Sequence, residues 1–119
     1  MGIDVLNFKI AGYRYAQQYR SPSDIVQIGE SLILKCNQKN IYDDHSVEIY
    51  NCRMERLGYV PKFYSHKIFK MVMNSKEYHA CVASYRDLDY PLINVSLKIN
   101  SESTSSDGDS LVNNLLTGS

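Results

Sequence analysis

The sequence predicts a mainly β fold, a small antiparallel and partly closed barrel of about six strands with one main α-helix. Three observations carry this. Apolar and polar residues alternate with period two in several separate stretches, the period lengthens to that of a helix once, after Lys62, and the connections between these stretches are short. At 119 residues the chain has room for one modest core and not for two.

In the opening strand Leu6, Phe8 and Ile10 share one face, with Asn7 and Lys9 on the other. Residues 31–36 form an apolar-rich second strand, and residues 46–50 a third that points Val47 and Ile49 inward. Residues 56–60 are a short fourth strand, ended by Pro61. From Lys62 onward Tyr64, Ile68, Met71 and Val72 fall at i, i+4, i+7 and i+8, the apolar stripe of a helix, while Lys62, His66 and Lys70 line a polar face. Pro61 suits the first turn of that helix and Asn74-Ser75 ends it. Residues 78–85 are rich in β-formers, and Ile93, Val95, Leu97 and Ile99 give the cleanest alternation in the chain.

After residue 99 the composition changes. The run SESTSSDGD is too polar to offset its ordering entropy by burial, so residues 1–99 are expected to be the folded domain and 100–119 an acidic, Ser-rich tail. Leu111, Val112, Leu115 and Leu116 could make a short amphipathic helix there, marginal unless it docks. Formal charge divides at the same point. Residues 1–99 hold all 13 Lys and Arg, a surplus of three over their acids, and the tail carries Glu102, Asp107 and Asp109 with no basic partner. Residues 53–76 concentrate Arg53, Arg56, Lys62, Lys67, Lys70 and Lys76 against Glu55 alone. That segment suits an anionic partner, and a solvated helix face accounts for it equally well.

No apolar run is long enough to cross a membrane, and the N-terminal MGIDVLNFKI lacks the charged region of a secretory signal. Cys36, Cys52 and Cys81 are odd in number and widely spaced, which points to buried, reduced thiols in a cytoplasmic protein. His45, His66 and His79 fall in three different elements, and no metal-protease, redox-dithiol, nucleophile-elbow or phosphate-cradling motif occurs. No catalytic residue, metal ligand or cofactor is therefore assigned. Asp43-Asp44 and Asp87-x-Asp89 offer hard oxygen ligands, but acids in turns more often cap or shape the turn.

Ten tyrosines and no tryptophan make an unusual aromatic inventory. Most strand tyrosines are expected in the half-buried core. Three have neighbours suited to a ligand: Tyr15 beside Arg14, Tyr42 in an Asn-x-Tyr-Asp turn, and Tyr59 in a Gly-Tyr-Val-Pro corner leading to Lys62. A ring can stack a nucleobase and a guanidinium can hold a phosphate.

The ordered segments Gly12-Tyr13-Arg14-Tyr15, Gly29-Glu30-Ser31-Leu32-Ile33-Leu34, Asn40-Ile41-Tyr42-Asp43 through Val47-Glu48-Ile49, and Gly58-Tyr59-Val60-Pro61-Lys62 resemble the HIRAN domain over roughly residues 5–99. Ile41 stands where the family usually has proline, and Ser46 where it has a small apolar residue. The resemblance implies an OB-like small antiparallel β-barrel that grips the 3′ end of single-stranded DNA, in a family often attached to remodelling helicases. By position, Arg14 and Tyr15 would meet the terminal nucleotide and its phosphate. Asn40, Tyr42 and Asp43 would line the pocket for the end base and free 3′-hydroxyl, and Tyr59 and Lys62 would follow the adjacent backbone. The expected function is thus non-enzymatic binding of single-stranded DNA in DNA processing or repair, with a helicase or nuclease as protein partner. Two rivals remain: a protein-interaction domain that keeps the barrel, and a small metal-dependent nuclease built on the turn acids.

Overall fold

The computed structural model describes residues 3–17, 20–37 and 45–100. Its strands are β1 (Ile3–Lys9), β2 (Ser31–Asn37), β3 (Ser46–Tyr50), β4 (Arg56–Tyr59), β5 (Tyr78–Arg86) and β6 (Leu92–Asn100). They form one antiparallel sheet in the order β1-β6-β5-β2-β3-β4. The main helix, α3 (Lys62–Met73), is joined by two four-residue helices, α1 (Tyr13–Ala16) and α2 (Pro22–Ile25). The fold is mainly β and OB-like, with β1 and β4 as the two edges.

The alternation fixes the register. Leu6 opposes Leu97 and Phe8 opposes Val95, while Ala80 and Val82 meet Leu97 and Val95 from the other side. Leu34 faces Ile49 and Cys36 faces Val47. A slip of one residue would carry each of these side chains to the outer face, so burial holds the pairing in place. β2 joins β5 through Ser31–Cys81 and Leu32–Ala80, and beyond that junction the sheet continues into its second half, β2-β3-β4.

The edges do not form a ladder with one another, yet they touch. Ala11, just past β1, exchanges both backbone hydrogen bonds with Tyr59 of β4, each 2.8 Å. Gly58 makes that approach feasible. It sits at φ 145°, and a methyl group there would collide with the Ala11 carbonyl oxygen and the Ile10 side chain.

Helix α3 covers the core with Ile68 and Met71 buried and Tyr64, Phe69 and Val72 half-buried. Three details stand out, and two of them, Pro61 and the cysteines, depart from expectation. Pro61 is the N-cap residue rather than part of the first turn. Ser65 is buried on the helix's inner face because its hydroxyl donates to the Lys62 carbonyl oxygen at 3.0 Å. The cysteines are free, but Cys52 lies exposed in the β3–β4 turn and Cys36 and Cys81 are half-buried, since turn and strand-face positions override a thiol's preference for the interior. No helix among the described residues is long and apolar enough to cross a membrane. The tail from residue 101 onward lies outside the described residues.

Candidate nucleic-acid interface

The chain leaving β1 turns sharply at Gly12 (φ 75°), whose carbonyl oxygen accepts from the backbone N–H of Tyr15 and Ala16, both at 3.1 Å. Tyr13 points inward and is buried, its hydroxyl donating to the Arg20 carbonyl oxygen at 2.8 Å. Burial pushes the Tyr13 pKa up to about 12, so the hydroxyl remains a donor. With Tyr13 anchored, the next two residues face solvent. Tyr15 is 87% exposed, and the Arg14 guanidinium lies 5.8 Å from the centre of the Tyr90 ring. A shallow depression of about 190 Å³ opens here, lined by Ile10, Gly12, Tyr13, Arg14, Tyr15 and Pro91.

The Ala11–Tyr59 bridge sets Tyr59 beside this depression, its ring edge 3.7 Å from where a Gly12 Cβ would stand. The Arg56 guanidinium lies 5.6 Å from the Tyr59 ring centre, and its Nη1 donates to the Tyr59 hydroxyl at 3.3 Å. Gln17 ties α1 to the same strand, its Nε2 donating to the Arg56 carbonyl oxygen at 2.9 Å. Lys62 opens α3 three residues further on, exposed, and is followed by Phe63 at 88% exposure.

Of the residues expected from the sequence, Arg14, Tyr15 and Tyr59 therefore converge on one lip of the barrel, with Lys62 at the corner leading away from it. Asn40, Tyr42 and Asp43 lie outside the described residues. Of the turn acids, Asp87 accepts from the Ser23 backbone N–H at 2.9 Å, a long-range bond that ties its turn to the first turn of α2. Sequence reasoning placed Arg56 only within the basic segment, not on this surface, and missed Tyr90. For Arg56 the reason is specific. At period two Arg56 and Tyr59 would point to opposite faces, but the register shifts between Ile49 and Tyr50, so that Tyr50 pairs with Arg56 and Glu48 with Tyr59. The bulge brings both side chains to the outer face, the re-aiming that bulges perform beside functional sites. The Tyr90-Pro91 pair ahead of the β6 alternation was the available signal for Tyr90.

The lip combines stackable rings and guanidinium groups at a turn of exposed backbone, which suits a single-stranded polyanion with accessible base faces. The HIRAN domain family model matches residues 3–103. The fold is similar to the crystal structure of the HIRAN domain of human HLTF, with a TM-score of 0.66 and 17% identity over 80% of this chain and 74% of that one. It is also similar to a protein from Lactobacillus plantarum, with a TM-score of 0.68 and 15% identity over 82% of this chain and 97% of that one. At these identities the likeness is one of fold. No curated protein sequence matches the chain significantly. The match of the family model across most of the chain places it in the HIRAN domain family, known in general for binding DNA.

Proposed function

We infer that this HIRAN domain binds single-stranded DNA and grips its 3′-hydroxyl end, serving DNA processing or repair while any reaction on the DNA belongs to a helicase or nuclease partner. The observation that carries the reading is the convergence of Arg14, Tyr15 and Tyr59, distant in sequence, on one lip joined by the Ala11–Tyr59 bridge. Tyr15 and Tyr59 stack bases, each stack contributing about 1–3 kcal/mol, and Arg14 takes a phosphate. Asp43, with Asn40 and Tyr42 around the terminal base, supplies end selectivity: its carboxylate accepts a hydrogen bond from a free 3′-hydroxyl and repels a 3′-phosphate.

The test is fluorescence anisotropy with labelled oligonucleotides ending in a 3′-hydroxyl or a 3′-phosphate, with circular single-stranded DNA as competitor. Wild type should prefer the 3′-hydroxyl end by about ten- to a hundredfold, the worth of one charge-assisted hydrogen bond. Asp43→Asn should lose most of that preference, whereas Arg14→Ala and Tyr15→Ala should weaken binding to both ends. Equal binding of both ends and of the circle would overturn the end reading, and no binding at low salt would favour a protein-interaction domain instead.

A further inference from the structure

The outer face of β2, β3 and β4 carries a second group of aromatic and charged side chains continuous with Tyr59. The register sets Lys35, Glu48 and Tyr59 in one row across the three strands and Ile33, Tyr50 and Arg56 in the next. Glu48 is the hub. Its Oε1 accepts from the Tyr50 hydroxyl at 2.7 Å, its Oε2 accepts from Asn37 Nδ2 at 3.1 Å, and Arg56 Nη1 stands 3.5 Å from Oε2. The Glu48 side chain is only 14% exposed, so three donors surround a carboxylate largely withdrawn from solvent. The Lys35 ammonium, on an exposed residue, lies 5.1 Å from the centre of the Tyr50 ring, as Arg56 does over Tyr59.

We propose that this face is a second nucleotide-binding surface, which takes the internal nucleotides of a single strand whose end lies at the Arg14–Tyr15 lip. The proposal rests on the reading of this domain as a single-stranded DNA binder. Tyr59 and Tyr50 stack successive bases, Arg56 and Lys35 neutralise the phosphates between them, and Glu48 is a positioning residue that locks Tyr50 and Arg56 in place. An exposed cation–π contact is weaker than a base stacked on the same ring. A base therefore displaces Lys35 from Tyr50, and the released ammonium becomes available to the adjoining phosphate. The carboxylate does not repel the strand, because its negative charge is already met by Arg56 and by the Tyr50 and Asn37 donors. The Tyr50 pKa is raised, first by the hydrogen bond to Glu48 and then by burial, which keeps its hydroxyl protonated and donating.

Oligonucleotides with free 3′-hydroxyl ends, lengthened from about two to about ten nucleotides, test this by anisotropy. Wild type should gain affinity with length. In Tyr50→Leu and in Lys35→Ala the gain should shrink, by about five- to a hundredfold for the ring and by a few-fold for the ammonium. Tyr50→Phe keeps the ring but frees Glu48 from one donor and should retain most of the gain. Tyr50→Leu changes a half-buried strand residue, so its melting temperature is checked alongside, and the exposed Lys35→Ala supplies the same test with no threat to folding. If both variants gain affinity with length as wild type does, the second surface is wrong even where end preference holds. If end preference is absent while both variants still lose the gain, the internal surface stands and the end reading falls. Should wild type bind no single-stranded DNA at any length, both fall together.

Discussion

Gly58 is the residue on which assembly of the interface depends most directly. Its φ of 145° is one that L side chains rarely adopt, and the Ala11 backbone lies against the position a Cβ would occupy. Gly58→Ala therefore meets both backbone strain and a clash with main chain that no side-chain rotation can relieve. We expect a loss of about 2–4 kcal/mol in urea unfolding. The variant should also bind single-stranded DNA more weakly, because opening the Ala11–Tyr59 bridge parts Tyr59 from Tyr15. The glycine was visible in the Gly-Tyr-Val-Pro corner of the sequence, but not its reason: only the fold brings the Ala11 carbonyl there.

Among the elements, the β3–β4 hairpin shows how the short helices are held to the sheet. Asn51 is fully buried and uses its whole amide. Its Oδ1 accepts from the backbone N–H of Arg53 and Glu55 at 3.0 and 2.9 Å, and its Nδ2 donates to the Ile25 carbonyl oxygen at 2.9 Å and to Glu55 Oε1 at 2.8 Å. The bond to Ile25 fastens α2 to the hairpin. Asn51→Ala would leave several of these groups unpaired, and a loss of about 2–4 kcal/mol in chemical denaturation is expected. Glu55 sits in the same network, with Arg20 Nη1 at 2.7 Å and Arg53 Nη2 at 3.1 Å. The hydrogen bond from Asn51, then that from Arg20, holds its carboxyl down to about 2. A depressed carboxylate stabilises the fold above its ordinary pKa of 4.5, and that contribution is lost as pH falls from there toward about 2. Melting temperatures measured across this window should fall more steeply for wild type than for Glu55→Gln. Neither α1 nor α2 was legible beforehand, because four residues are barely one helical turn and carry no periodicity.

Over the whole molecule, the basic residues go with the core, since residues 1–99 hold all 13 Lys and Arg. Among the described residues, the buried apolar core lies between Phe8 and Ile99. Deleting residues 101–119 is accordingly expected to leave the melting temperature nearly unchanged; a large drop would mean that the tail's Leu111, Val112, Leu115 and Leu116 complete the core or a subunit interface. The charge distribution bears on DNA binding, since the basic residues between 53 and 76 all belong to the domain while residues 100–119 contain acids and no Lys or Arg. If about three phosphates are neutralised, a plot of log affinity against log salt should have a slope near −2, from roughly −0.7 per contact on a single strand. A slope near zero would argue that stacking alone holds the strand.

The sequence by itself determined which faces of the strands are buried, because alternation at Phe8, Val47, Ile49, Val95 and Leu97 admits only one inward side at period two. It also placed the main helix and the family pattern that marks Arg14, Tyr15, Tyr59 and Lys62, since both are properties of consecutive residues. Only the tertiary structure decided which of these meet. The strand order β1-β6-β5-β2-β3-β4 brings the two edges of the sheet into contact at Ala11 and Tyr59, a pairing between segments that share no local pattern. The bulge opposite Ile49 and Tyr50 likewise turned Arg56 onto the Tyr59 face, against the alternation of its own strand. Periodicity reports how a segment faces the core, whereas edge contacts and bulges come from the coiling of the whole sheet, and no single segment encodes them.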